Sequence, residues 1–276
     1  MKNYLFFALC SFLCFASCTE IQNEIEVIND IPDPGLQQKN VLLEKYTGVG
    51  CSNCPSVTLA VNGLKNQHGS RLIPIFIHTT IFADPFSGGF SNQDLGSNTI
   101  DDFVSFVGEV ISLPIGAIDR VLFNGENDVF VFQSSFAANV LERLEEDLLV
   151  EIDIETAFDS STRIATTKVD LNPLSNVELE DLVLIVVLVE DSIIETQNVS
   201  GELVTDYEHN HVLRDFFTPT VGVEVEQLSV GELVTKEFSL EIPDHMVAEN
   251  CRVIGFLSRN GANKDVLQVN EANLVE

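Results

Sequence analysis

Two cysteines separated by two residues, Cys51-Ser52-Asn53-Cys54, are the residues of this chain best suited to chemistry. A pair at this spacing can exchange electrons between dithiol and disulfide, lend two ligands to a metal, or staple a loop. An apolar, strand-like run (Val41 to Tyr46) precedes the pair and a helix-like run follows it. That context points to the first use. At a helix start, backbone N–H groups and the helix dipole favour negative charge, so a cysteine there ionises more readily, and the thiolate is the nucleophile. Cys51, predicted to be the more exposed, would attack a substrate disulfide. Cys54, one turn later, would resolve the mixed disulfide. Pro55 lacks an N–H, which the first helical turn tolerates. Glu44 is a candidate buried carboxylate behind the pair, able to manage protons. Its alternative is a strand residue facing solvent, because Glu is rarely buried without a partner.

Competing chemistries are thinner. The histidines are His68, His78, His209, His211 and His245, and no second Cys-x-x-Cys accompanies the first. Structural zinc uses four ligands with paired spacing. His209 and His211 would share a side on a strand and permit chelation, but two ligands make a weak site, so no metal site is expected. Cys251 lies in a strand-like run and reads as a buried free thiol. No Gly-rich phosphate loop, Ser nucleophile motif or calcium loop appears, and no cofactor is expected.

The elements that must position the pair alternate in type. Val41 to Tyr46 reads as a strand, Cys51 to Gln67 as a helix, and Leu72 to His78 as a buried strand with Pro74 an awkward member. Thr79 to Asn98 is a long loop whose phenylalanines, Phe82, Phe86 and Phe90, either form a lid or docking surface or cover a core edge. Asp101 to Val110 fits a helix. Ala117 to Phe123 and Val129 to Phe132 flank Asn124-Gly125, a hairpin signal. Ser134 to Asp147 reads as a helix. This alternation predicts a mixed α/β layer over residues 41–148.

From about Leu148 the texture becomes β-rich. Strand-like runs span Leu149 to Phe158, Arg163 to Leu171, Leu182 to Val189, Lys236 to Ile242, Cys251 to Leu257 and Val266 to Val269. Several alternate apolar and polar, which predicts an all-β antiparallel, Ig-like sandwich over 149–276. A five-residue echo, Gly201 to Thr205 against Gly231 to Thr235, reads as similar turn entries or chance.

The chain start is separate from the fold. A short basic start and an apolar run from Leu5 to Phe15, too short to span a bilayer, predict a signal peptide over 1–17. Phe15-Ala16-Ser17-Cys18 resembles a bacterial lipobox, which implies lipidation of Cys18. An ordinary secretory cut nearby is the alternative. Residues 18–40 are polar and acidic, broken by Ile31-Pro32-Asp33-Pro34-Gly35, and read as a tether. The formal net charge is −29, from 43 acidic and 14 basic residues. Nothing in that balance would displace counterions from phosphates, so nucleic acid is not an expected partner. An acidic surface keeps an exported protein soluble.

A resemblance organises these pieces. Strand, Cys-x-x-Cys-Pro, helix, strand, helix, then Ser112-Leu113-Pro114-Ile115 before a hairpin resembles the thioredoxin fold. That likeness implies a cis Pro114 facing the cysteines and Leu113 pairing with substrate through its backbone. More closely, Leu42 to Gly48 with Cys51 to Pro55, Pro114-Ile115-Gly116 with Asp119-Arg120, and Tyr207 to Asp215 resemble an outer-membrane lipoprotein family of Bacteroidetes, named for its twenty-eight-kilodalton founder. It implies a cell-envelope lipoprotein with a thioredoxin-like domain followed by a β-sandwich. Envelope or secreted protein thiols and disulfides would be the partners, and the membrane would be reached through lipid on Cys18. A non-enzymatic surface binding or adhesion protein, with the cysteines as a structural disulfide, is the other reading. Gly50 departs from thioredoxins at large, where a Trp often precedes the first cysteine.

Overall fold

Residues 41–47 and 72–78 are apolar on both sides because the strands they form are covered on both sides. In the computed structural model, which describes residues 37–276 except 88–90, 92, 176–180, 227, 262 and 276, β1 (Val41–Thr47) and β2 (Leu72–His78) pair in parallel, from Val41 opposite Leu72 to Thr47 opposite His78. The signal peptide, Cys18, most of the tether and Phe90 lie outside the described residues. Alternate side chains of these strands separate cleanly. Val41, Leu43, Leu72 and Phe76 pack with Val57 and Val61 of α1 (Cys54–His68) and with Phe136 and Val140 of α3 (Gln133–Leu144). Leu42, Tyr46, Ile73, Ile75 and Ile77 pack with Ile100 and Phe103 of α2 (Asn98–Val107). Ser97 caps α2, its side chain accepting from Ile100 N.

Pro74 is tolerated in β2 for a reason of direction. Phe76 N donates to His211 O (2.6 Å) across to the next strand. The missing N–H of Pro74, two residues back, faces the same side, but there pairing is confined to Phe76 opposite Val212. On the other side of β1, β3 (Ile115–Ile118) runs antiparallel, and β4 (Phe130–Val131) pairs with β3. The predicted hairpin is therefore real but short. The chain leaves β3 at Asp119 and Arg120, both at positive φ (45° and 53°). The turn delivers the Asp119 carboxylate to Leu42 N, Lys39 Nζ and Arg143 Nε, at 2.8, 2.7 and 2.9 Å.

The β-rich half is layered. β5 (Val150–Asp159), β6 (Ile164–Pro173) and β12 (Val234–Glu241) form an antiparallel sheet whose alternating pattern buries one face. β7 (Leu182–Glu190) is buried at every residue. Its Leu182, Leu184, Val186 and Leu188 meet Val150, Ile152 and Val169 of the three-stranded sheet, and Val183, Ile185, Val187 and Val189 join the cluster of Phe103 and Ile75. β13 (Cys251–Arg259) pairs with β7 and with β14 (Val266–Asn273). β8 (Ile193–Val199) and β9 (Glu202–His209) form a two-stranded arm, followed by β10 (Val212–Phe216) and β11 (Val223–Val225), both paired with β7.

Among the described residues the large sheet has the order β14-β13-β7-β10-β2-β1-β3-β4. The protein is thus β-rich with a few helices, an α/β segment and a sandwich. The change of texture near residue 148 is not a break in that sheet, which crosses from one segment to the other through Val212 and Phe76, within one compact unit of residues 37–276. The end of the predicted tether is docked on it. Gln37 bonds Ile152 through both its amide oxygen and nitrogen, and Asn40 N donates to Gln268 Oε1.

Candidate functional site

The link between β1 and α1 is two consecutive turns. Cys51 N donates to Gly48 O (3.0 Å) and Cys54 N to Cys51 O (3.2 Å). The helix therefore begins at Cys54, not at Cys51 as predicted, with Pro55 in its first turn. Cys51 and Cys54 are joined by a disulfide, their Cα atoms 5.4 Å apart. The long loop after β2 lies against this link. Gly50 N donates to Phe82 O (2.8 Å), and a Cβ on Gly48 would sit 2.4 Å from that same oxygen. Only glycine permits such an approach. Phe82 itself is largely exposed, whereas Phe86 packs against Val49, Leu95, Ile193 and Val212.

The disulfide is covered. Cys51 is 5% exposed and Cys54 1%, so Cys51 is the more exposed of the two, as predicted, but both are buried. The cover is the arm of β8 and β9, whose polar run Glu195-Thr196-Gln197-Asn198 lies over the turns. Gln197 Nε2 reaches the carbonyls of Val49 (3.0 Å) and Cys51 (3.2 Å). Asn198 N donates to Val49 O (2.8 Å) and Ser200 N to Ser52 O (3.0 Å). The physical logic is satisfaction of backbone: carbonyls in tight turns have no ladder partner, and a buried one left unpaired is costly. Ser200 and Gly201, at φ 53° and 98°, make the two-residue reversal of the arm. Gly231 shares that positive φ (86°), so the five-residue echo is a pair of similar turn entries.

Glu44 is buried, but not behind the cysteines. It shares the face of Leu42 and Tyr46, opposite to α1, and forms a bidentate pair with Arg120 at 2.7 and 2.8 Å. Both side chains are fully buried, and the guanidinium stacks over Phe103 and Phe256. Strand alternation is the reason: one residue's step along β1 moves a side chain to the other face. The Leu113–Pro114 peptide is cis. With Tyr46 opposite Ile115, Pro114 lies one step further, beside the end of β1 from which the cysteine turns depart. Leu113 packs its side chain on the Tyr46 and Phe103 cluster.

The ionisable residue that does face α1 is Lys45. It is 1% exposed, donates to Thr58 Oγ1 and lies 4.3 Å from the centre of the Phe76 ring. Thr58 Oγ1 in turn donates to Cys54 O. Among the described residues no carboxylate pairs with the amine, and desolvation lowers its pKa to about 7. Lys45, Cys54, Thr58, Asn62, Phe76 and His78 form one wall of a cleft of about 230 Å³, and Gln197, Tyr207, Glu208 and His209 the other. His78 and His209 meet edge to face at 5.5 Å. Burial holds His209 near pKa 4, and burial with the charges of His209, Lys45 and Arg214 holds His78 well below the usual imidazole range. Both rings are neutral at pH 7.

His209 and His211 do not form a joint site. His211, at φ 60° between the two strands, turns to Arg252 and Asp191 and packs its ring on Phe76. Cys251 is buried and free, its thiol donating to Val247 O and pushed up to about pKa 12, by burial first and then by Glu190. A larger, shallower concavity of about 540 Å³ lies at the three-stranded sheet, lined by residues such as Lys168 and Phe238 and away from the cysteines. The sequence pattern assigns no role to Lys45, Tyr207 or Gln197, and offers His78 only as one of five histidines that could ligate a metal. The usable signal was period two: Lys45 falls with Val41 and Leu43, His78 with Leu72 and Phe76.

Among the described residues no helix is long and apolar enough to cross a membrane. HBP35 of Porphyromonas gingivalis has a similar structure, with TM-score 0.69 at 15% identity over 87% of this chain and 76% of that one. Protein AGR_C_4864 from Agrobacterium tumefaciens gives TM-score 0.53 at 13% identity over 87% and 97%. At such identities the likeness is one of fold. A domain of the outer membrane lipoprotein Omp28 from Porphyromonas gingivalis, 19% identical over 46% of this chain and 88% of its own, superposes with TM-score 0.32, too low to carry an argument. No curated protein sequence matches. The family model described as outer membrane protein Omp28 matches residues 107–276, more than half of the chain, and the chain therefore belongs to the Omp28 family of outer membrane proteins.

Proposed function

We propose that this outer-membrane protein is anchored by lipid on Cys18 and acts as a binding protein, with the Cys51–Cys54 bridge as a staple inside a thioredoxin-like segment, residues 41–148. The observation behind this reading is the cover on the disulfide. A thiolate must approach a disulfide sulfur directly, and the arm, held by hydrogen bonds to the carbonyls of Val49, Cys51 and Ser52, leaves the cysteines only 5% and 1% exposed. The covered side instead opens into the cleft of Lys45 and the two imidazoles.

Thiol–disulfide exchange on envelope or secreted proteins is the second reading. It is favoured by the polar hold of the arm over the cysteines, which can open without dismantling an apolar core. One experiment separates the two. The reduction potential of the pair and the catalysed reduction of a model disulfide are measured for the wild type and for Cys51→Ser. A potential below about −300 mV without turnover supports the staple. Turnover abolished by Cys51→Ser supports exchange. The anchor is tested separately: Cys18→Ala is expected to move the protein from the membrane to the soluble fraction.

A further inference from the structure

The cleft beside the disulfide has unmet hydrogen-bonding capacity of a particular kind. Lys45 brings an ammonium whose polar acceptor is the Thr58 hydroxyl, and among the described residues no carboxylate balances it. Glu208 lines the cleft, but its carboxylate accepts from Ser192 Oγ (3.3 Å) and Asn210 Nδ2 (3.2 Å). Glu195, buried beneath His209, accepts from Thr196 N and Gln93 N. Arg214, whose charge reaches His78, pairs with Glu190. Among the described residues, Lys45 therefore has no carboxylate at ion-pair distance, and its polar partner is the Thr58 hydroxyl.

His209 adds a second, independent requirement. It is 5% exposed, and its Nε2 is buried without a partner. In the Nδ1–H tautomer of the neutral ring, Nε2 carries a lone pair that takes a donor. His78, 1% exposed, likewise has a buried Nδ1 without a partner. Buried polar atoms of native proteins are nearly always paired, and each exception calls for an explanation. Here two such atoms line one small cleft together with an unbalanced ammonium.

We propose that this cleft binds a small carboxylate carrying an adjacent N–H or O–H donor. The carboxylate meets the Lys45 ammonium, and the donor meets His209 Nε2. Charge selects the class: one desolvated ammonium balances a monoanion, whereas a phosphate dianion would leave a buried negative charge unmet. Volume limits the part held inside to a few heavy atoms, as in a free hydroxy acid or the carboxyl end of a peptide. This goes beyond the binding role proposed above, because it names the ligand chemistry, and it stands whether or not the disulfide exchanges.

The test is calorimetric titration of the mature protein, disulfide intact, in carboxylate-free buffer at pH 6.5. The probes are glycolate, N-acetylglycine, acetate and inorganic phosphate. Glycolate or N-acetylglycine is expected to bind at least about fivefold tighter than acetate, the worth of one neutral hydrogen bond. The better of the two identifies the source, free hydroxy acid or peptide end. Lys45→Met is expected to weaken both at least about tenfold, and Lys236→Met, on the three-stranded sheet, to change neither. His209→Phe is expected to remove the preference over acetate while acetate still binds. The proposal is overturned by no binding of any carboxylate, by equal binding to Lys45→Met, or by phosphate binding best. Should His209→Phe fail to fold, the glycolate-to-acetate ratio of the wild type together with Lys45→Met decides.

Discussion

Replacing Lys45 by Met should make this protein more stable, and the gain should fade as pH rises. The amine is held at pKa about 7 by burial, against 10.5 in an unstructured chain. Between those values the unfolded chain binds a proton that the folded one does not. Stability therefore rises with pH across that window, and the full penalty of burying the charge falls below pH 7. At about 1.4 kcal/mol per pH unit, the interval from about 7 to 10.5 corresponds to about 5 kcal/mol. Met fills the same space without charge, but loses the contact with the Phe76 ring and the bond to Thr58, together about 2 kcal/mol. The net expectation at pH 6.5 is a gain of about 3 kcal/mol. Urea unfolding at pH 6.5 and 9.5, disulfide intact and carboxylates absent, reads it. The wild-type deficit should shrink by about 3 kcal/mol at the higher pH, with other titrating groups cancelling between the two proteins. A Lys45→Met protein less stable than wild type at pH 6.5, or a difference that ignores pH, would refute the reasoning. The amine would then be solvated or paired.

Other perturbations have equally definite outcomes. Arg120→Met should destabilise by about 3–5 kcal/mol in urea, because it strands the buried Glu44 carboxylate. Gln197→Ala should remove the side-chain donor shared by the Val49 and Cys51 carbonyls, which keep their backbone donors, cost about 1 kcal/mol, and speed reduction of Cys51–Cys54 by dithiothreitol, read by mass. Gly48→Ala must push Phe82 O away from a 2.4 Å approach, and a loss of about 1–3 kcal/mol in urea unfolding is expected. In the native protein at pH 8, the Cys251 peptide should remain unlabelled by iodoacetamide, its thiol being buried and raised to about pKa 12.

The α/β alternation, the three helices flanking β1 and β2, and the main strands of the sandwich were legible in the chain because each carries a long apolar period. The arm of β8 and β9 was not. Its buried residues, Glu195, Thr196 and Gln197, are polar and resemble a loop; Gln197 satisfies the backbone of a turn about 150 residues earlier and Glu195 that of Gln93, which no local pattern encodes. Glu44 was read correctly as a buried candidate and assigned to the wrong neighbourhood. Alternation told that Glu44 and Lys45 face opposite ways, but only the packing of α1 tells which face holds the cysteines.

That division explains how the cleft depends on the whole sheet. Lys45, Cys54, Thr58 and His78 come from the first segment, and Gln197, Tyr207 and His209 from the second. The two walls meet because Phe76 N bonds His211 O, just beyond His209, where β10 joins β2. The stretch from Tyr207 to Asp215, prominent in the sequence without any evident chemistry, is thus both the joint between the segments and one wall of the site. The contacts Lys45 makes with Thr58 and Phe76, together about 2 kcal/mol, fall short of the roughly 5 kcal/mol that burying its charge costs. Its retention is accounted for by the ligand charge it would balance, which turns a stability penalty into binding free energy once the cleft is occupied.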